Sequence, residues 1–205
     1  MTTDALPWMQ VQEMALHLRQ GGAALVPTDT LPALAAAPDH AAQVWTLKQR
    51  PQDKPLILMA ADADALLSLT TDEARLDAEP LAQRYWPGAL TLVLPVEGGR
   101  YARLNPGMNS LGLRIPDCPA TRELLRASGP LATTSANRSG VTASQNELEA
   151  SVAFPSLPLL GPLPWPTPSG LASTVIAWMS PGRWHLLRQG AVMANEINGS
   201  HSCSG

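Results

Sequence analysis

Four short polar segments stand at the ends of apolar, strand-like runs, where a sheet scaffold displays its chemistry. They are Pro27-Thr28-Asp29-Thr30, the run KQRPQDKP from Lys48 to Pro55, Ser110 to Arg114, and TTSAN from Thr133 to Asn137. The second places Lys48, Arg50 and Lys54 in one short window, and Lys48 and Lys54 are the only lysines of the chain. Together the four have the composition of an anion site. A nucleoside triphosphate and a carboxylate or carbamate need several fixed cations, while Ser, Thr and Asn supply directional hydrogen bonds. Arginine grips two oxygens in a fork, and lysine acts as a mobile point charge. Each residue alone also has a plainer reading. Lys48 and Arg50 at a helix end could complement its dipole, Arg114 in an alternating strand could face solvent, and Ser135 and Asn137 are ordinary turn residues.

Other familiar chemistries are missing from the sequence. There is no GxGxxG fingerprint, no GK[ST] phosphate loop and no GxSxG elbow. His17, His40, His185 and His201 lack metal-ligand spacing, and Cys118 and Cys203 are too few for a zinc site or a disulfide framework. No protein-held metal is expected, and a reducing cytoplasm is the default compartment. The first residues do not read as a basic and then apolar leader, and no run of about 20 apolar residues occurs. A soluble protein without a membrane partner is the expectation.

The elements that must position the polar segments follow from periodicity. Val11, Met14, Ala15 and Leu18 predict a helix over about 8–20, stopped by Gly21-Gly22, and Ala23–Val26 predict a buried strand. Asp39 would cap a second helix ending before Pro51, and Pro55–Ala60 would form a strand. Helices from Asp62 and from Asp72, the latter bent near Pro80, precede strands at 89–94 and 110–115. A helix starting at Pro119, a strand at 131–134 and two closing strands at 173–179 and 184–187 complete the pattern. Six prolines between Pro155 and Pro168 predict an extended surface connection, and 195–205 reads as a disordered tail after a single domain over 1–194. The predicted fold is α/β, an open twisted mixed sheet with flanking helices and a concave basic cavity. Fourteen basic against seventeen acidic residues, a net charge of −3, argue against a broadly nucleic-acid-coating surface.

At these same segments the chain resembles the YrdC-like family, the threonylcarbamoyl-AMP synthases. The matching landmarks are VPTDT (26–30), LKQRPQDKPLIL (47–58), WPGALTLVL (86–94), LGLRIPDCP (111–119), TTSANRSG (133–140), ASTVI (172–176) and LLRQG (186–190). The resemblance implies an enzyme that makes threonylcarbamoyl-adenylate and pyrophosphate from L-threonine, bicarbonate or CO2, and ATP. It implies that the Lys-x-Arg and Ser-x-Asn signatures, Lys48, Arg50, Ser135 and Asn137, line the reaction centre. ATP would be held by Arg50, Lys54, Ser110, Ser135 and Arg188, with Mg2+ bridging its phosphates. Threonine would be held by Thr30, Arg114, Thr133 and Ser173. The family's short single-domain form implies separate proteins that transfer the threonylcarbamoyl group to tRNA. The chain departs from the pattern at Leu31-Pro32-Ala33, where an aromatic residue and glycine are usual. It departs again at Met59 in place of histidine, Ala172 in place of glutamate, and Gln189 in place of proline. Two alternatives follow from the same fold: a double-stranded RNA or tRNA-binding module without synthase activity, and a YciO-like relative with altered chemistry. Retention of both signatures speaks against the second.

Overall fold

A computed structural model describes residues 7–97, 99 and 101–198. The chain opens with a two-residue strand, β1 (Trp8–Met9), and then helix α1 (Val11–Arg19), β2 (Ala23–Val26) and β3 (Ala33–Ala36). Helix α2 (Ala42–Lys48) precedes β4 (Ile57–Met59), and α3 (Ala63–Leu67) and α4 (Asp72–Tyr85) lead to β5 (Leu90–Pro95). After β6 (Ser110–Arg114) come α5 (Pro119–Ser128), β7 (Leu131–Ser135), α6 (Glu147–Ala153) and β8 (Leu159–Leu160). The hairpin β9 (Thr174–Ser180) and β10 (Arg183–Arg188) is followed by α7 (Ala194–Asn198).

The ten strands of the described residues join one mixed sheet in the order β1-β8-β2-β3-β7-β4-β6-β5-β9-β10. Alternation along each strand sorts side chains onto two faces. Leu25, Leu34, Leu58, Leu92 and Leu113 point into the larger core with α2 and α4 residues such as Trp45 and Leu81. Their neighbours Ala24, Val26, Ala35, Met59 and Leu131 point the other way, against Met14 and Leu18 of α1 and Leu124 and Leu125 of α5. Helices α1 and α5 cover only part of this second face. Further along the same strands its residues are Thr133 and Ser135 of β7, Ile57 of β4 and Arg114 of β6, and these border a cavity. The site is therefore the uncovered portion of a sheet face, framed by a helix pair on one side.

Several elements differ from expectation for physical reasons. β3 was not anticipated, because Ala-Leu-Ala-Ala has neither alternation nor β-branched residues. It is nevertheless central, paired antiparallel with both β2 and β7. The proline-rich stretch is more than a surface connection: its Leu159 and Leu160 are fully buried and form β8 between β1 and β2. A strand of two residues is too short to show a period. Residues 8–9 are strand rather than helix, with Gln10 as the helix N-cap. Asp39 lies in a 3-10 turn (Pro38–His40), and α2 starts after Ala41 without a side-chain cap. Helix α4 runs through Pro80. The expected tail begins as α7, whose Ile197 is only 2% exposed and anchors it to the main core, while 199–205 lie outside the described residues. Among the described residues no helix is long and apolar enough to cross a membrane.

Candidate active site

The cavity has a volume of about 310 Å3 and lies where β3, β4, β6 and β7 meet the start of β9 and the end of β10. Register builds its floor. Arg114 pairs with Met59, Ile57 lies between Gly112 and Thr133, and Ser135 pairs with Ala33. A Cβ at Gly112 would meet the Ile57 and Thr91 side-chain carbons at 3.4 Å, so these neighbouring strands are already in close contact beside the floor.

Among the described residues, three arginines line the cavity and no carboxylate or histidine does. Arg114 is 3% exposed, so the solvent-facing reading fails. Its Nε donates to Gly88 O at 2.9 Å, Nη1 to Thr30 Oγ1 at 2.8 Å, and Nη2 to Asp29 Oδ1 at 2.6 Å. A guanidinium has five N–H donors, so these three bonds fix its plane and leave two for a ligand. Burial lowers its pKa, and the facing Asp29 carboxylate opposes that shift. Asp29 also accepts the Asp117 backbone N–H at 3.0 Å, which ties the turn before α5 to the same carboxylate.

Arg50 donates from Nη1 to Thr134 Oγ1 at 2.9 Å and from Nη2 to Pro55 O at 3.3 Å. Arg188, at the end of the exposed strand β10, donates from Nε and Nη2 to Ser173 O and from Nη2 to Ser173 Oγ. Gly190 makes this closeness possible, since a Cβ there would collide with the Ala172 and Ser173 backbone. Burial lowers the pKa of both arginines.

The hydroxyls have defined polarity. Thr28 Oγ1 donates to Leu31 O at 2.7 Å, so in its 3.0 Å contact with Thr30 Oγ1 the proton comes from Thr30. Thr133 Oγ1 donates to Ile57 O at 3.1 Å and Ser135 Oγ to Asn137 Oδ1 at 2.6 Å. Thr133 and Ser135 therefore offer lone pairs, suited to N–H or O–H groups of a ligand, and Thr30, which already accepts from Arg114 Nη1, has one left. Ser173 shares a hydrogen bond with buried Thr91 at 2.8 Å.

The expected residues divide. Thr30, Arg50, Arg114, Thr133, Ser135, Ser173 and Arg188 all line the cavity. Lys48, Asn137, Lys54 and Ser110 are not among its lining residues. Lys48 is 3% exposed and donates to Ser135 O at 2.5 Å, Asn137 O at 2.7 Å and Asn137 Oδ1 at 3.1 Å. It does not merely complement its helix dipole. Its pKa is pushed down to about 8, by burial and then by neighbouring Arg50. Lys54 is exposed, and Ser110 is half-buried on the cavity face of β6, beyond Gly112. Sequence reasoning did not single out Asp29, Thr134 or Thr91. Thr91 had a signal: it is a hydroxyl inside the otherwise apolar strand ALTLVL.

The Sua5/YciO/YrdC family profile, described as telomere recombination, matches residues 17–190. The chain belongs to this family. A Bacillus subtilis threonylcarbamoyl-AMP synthase is 38% identical over 136 residues, which cover 64% of this chain but 39% of that protein. A Vibrio vulnificus threonylcarbamoyl-AMP synthase is 36% identical over 141 residues, covering 64% of this chain and 74% of its own. Among solved structures, P. abyssi Sua5 complexed with L-threonine superposes with a TM-score of 0.85 at 28% identity, covering 92% of this chain and 56% of that one. The chain thus spans well under two thirds of two of these three relatives. Of the positions at which the sequence departs from the expected pattern, Leu31, Ala33, Met59 and Ala172 lie on the cavity wall, and Pro32 and Gln189 do not.

Proposed function

We propose that the chain is a threonylcarbamoyl-AMP synthase, forming threonylcarbamoyl-adenylate and pyrophosphate from L-threonine, bicarbonate or CO2, and ATP. The observation that carries this reading is a carboxylate-free cavity in which Arg114 keeps two free donors, while Arg50 and Arg188 add further positive charge. Such a site gathers anions. Arg114 grips the threonine carboxylate in a fork. Thr30 and Thr133 accept hydrogen bonds from its amine and hydroxyl, and Ser173 completes that end. Arg50, Ser135 and Arg188 hold the triphosphate, with Lys54 and Ser110 at its periphery.

In the reaction the threonine amine attacks CO2, and the nitrogen loses a proton as the carbamate forms. A carbamate oxygen then attacks the α-phosphorus, and the bond to the departing pyrophosphate breaks. Every step crowds negative charge, so the protein's contribution is alignment and neutralisation. No side chain in the cavity is a conventional base, so the amine proton leaves to bicarbonate or solvent. Among the described residues no group of three or more His, Cys, Asp or Glu could hold a metal ion. Mg2+ would enter with the ATP phosphates and neutralise their charge, and the Thr134 and Ser135 hydroxyls on the cavity wall are oxygens that could help to hold it. Separate proteins would transfer the product to tRNA.

Pyrophosphate release from ATP by the purified protein, with threonine and bicarbonate each omitted in turn, tests the reading. Release that needs both supports it. Release indifferent to threonine removes it, and RNA binding that weakens steeply with salt but without ATP chemistry would favour the RNA-binding alternative.

A further inference from the structure

The Lys-x-Arg and Ser-x-Asn signatures have four residues, but only Arg50 and Ser135 face the cavity. Lys48 has three N–H donors, and each has an acceptor on the turn after β7. Asn137 is equally committed. Its Oδ1 accepts from Lys48 and from Ser135 Oγ, and its Nδ2 donates to Arg138 O at 3.0 Å and Val141 O at 2.5 Å. The clasp is closed by neighbouring bonds. Ser139 N donates to Lys48 O at 3.0 Å, Arg138 Nη1 donates to Leu47 O, and Ser144 Oγ donates to Ala136 O. The segment shaped in this way presents Ser135 and Ala143 to the cavity.

We infer that Lys48 and Asn137 are positioning residues, an internal strut that welds the end of α2 to the turn at 135–144 and so sets Ser135 and Ala143 over the anion site. The strut itself does not rest on the proposed activity, although its kinetic consequence does. Lys48 and Arg50 then divide the labour across one backbone reversal. Gln49, in the left-handed region at φ 52°, turns the chain between them, so Lys48 points into the protein and Arg50 reaches Thr134 beside the cavity.

The first arm of the test uses ligand-free, full-length protein and hydrogen–deuterium exchange. Lys48→Met and Asn137→Ala should each speed exchange across 136–144 by roughly 10-fold or more, with little change in β9. Lys48→Gln, which keeps two donors, takes the place of Lys48→Met if the latter does not fold, and should give a smaller increase. The second arm is steady-state pyrophosphate release. Each variant should raise the KM for ATP by roughly 10-fold while kcat changes much less, and the double variant should be no worse than the weaker single one. Asn137→Asp keeps the acceptors for Lys48 and Ser135 but sets an oxygen against the Arg138 and Val141 carbonyls, and should recover only part of the loss of Asn137→Ala. A folded Lys48 variant that abolishes turnover, with exchange across 136–144 and the KM for ATP unchanged, would overturn the inference and place the ammonium on the reacting groups. If the wild type shows no threonine-dependent release, the proposed function fails, and the exchange arm still decides the strut.

Discussion

Lys48 and Arg114 are both 3% exposed, yet the protein treats the two buried cations in opposite ways. Lys48 is surrounded by carbonyl and amide oxygens, and all three of its donors are used internally. Arg114 faces a carboxylate and uses three of five donors, with the remainder beside a cavity. The lesson is that burial and charge alone do not identify a ligand-binding cation. The number of donors left after internal bonding does. By that count Arg114 is available to an incoming carboxylate and Lys48 is structural, although a sequence motif groups Lys48 with the reaction centre.

The sharpest way to break this contrast is at the Arg114 pair. Arg114→Gln should reduce kcat/KM for threonine by about 10^3-fold or more, the scale of a truncated buried charge pair. Asp29 separates binding from folding. Asp29→Ala leaves the guanidinium buried without its counter-charge and should destabilise the protein by about 3 kcal/mol, read from urea midpoints. Asp29→Asn also removes the counter-charge but keeps an acceptor for Nη2 and for the Asp117 N–H, and should lose only the part that charge contributes. Equal losses in the two Asp29 variants would mean that the carboxylate acts through its charge rather than by orienting the fork.

A smaller effect is expected on the nucleotide side. Arg50 is half-buried and bound to Thr134 by one hydrogen bond, so its removal leaves no unpaired buried charge. Arg50→Ala should cost about 2–3 kcal/mol of transition-state stabilisation, near 10^2-fold in kcat/KM for ATP, with threonine binding largely retained. A threonine defect as large as the ATP defect would erase the distinction between the two ends of the cavity.

These two ends differ in how much of them the sequence disclosed. Strands β2, β4, β5, β6 and β7 were legible because their apolar runs are long or alternate. The polar segments in and beside the strands contain five of the expected residues that line the cavity, and the family resemblance added Ser173 and Arg188. Depth was not legible. Residues 48, 50 and 54 look equivalent in a list of cations, but one helix end and one backbone reversal bury the first, aim the second and expose the third. Arg114 presented the converse problem. Its alternating strand fits an outward face equally well, and only Asp29, far away in sequence, decides for burial. β3 and β8 carried too little side-chain pattern to be seen, although β3 runs along the site and β8 joins β1 to β2 within the sheet.

The low pKa of Lys48 gives a pH test of the strut. Its folded value near 8 lies below the ordinary lysine value of 10.5, so between these values the unfolded chain binds the extra proton. The linkage contribution is present above the unfolded value and lost as pH falls through about 8. Stability should gain up to about 1.4 kcal/mol per pH unit from this group over that window, relative to Lys48→Met. By the same linkage, opening of the turn at 136–144 that frees Lys48 should become harder across this window. Protection of 136–144, corrected for the base catalysis of exchange itself, should therefore rise above pH 8 in the wild type and not in Lys48→Met. Identical pH profiles for the two proteins would show that Lys48 does not titrate in this range.

The least disruptive test concerns the residue between the two cations. Gln49 N donates to Thr46 O at 3.1 Å and Arg50 N to Trp45 O at 3.0 Å, the paired bonds of a helix C-terminal Schellman turn. Such a turn normally uses glycine, because a Cβ in the left-handed region costs about 1 kcal/mol. Gln49→Gly should therefore stabilise the protein by about 0.5 kcal/mol or less, the strain relieved being partly offset by the freer unfolded chain. If the reversal only joins two elements, turnover will be unchanged. If the restricted backbone of Gln49 helps to aim Arg50, the same variant will gain stability while its KM for ATP rises. Measuring both quantities on one protein separates the burial of Lys48 from the aim of Arg50.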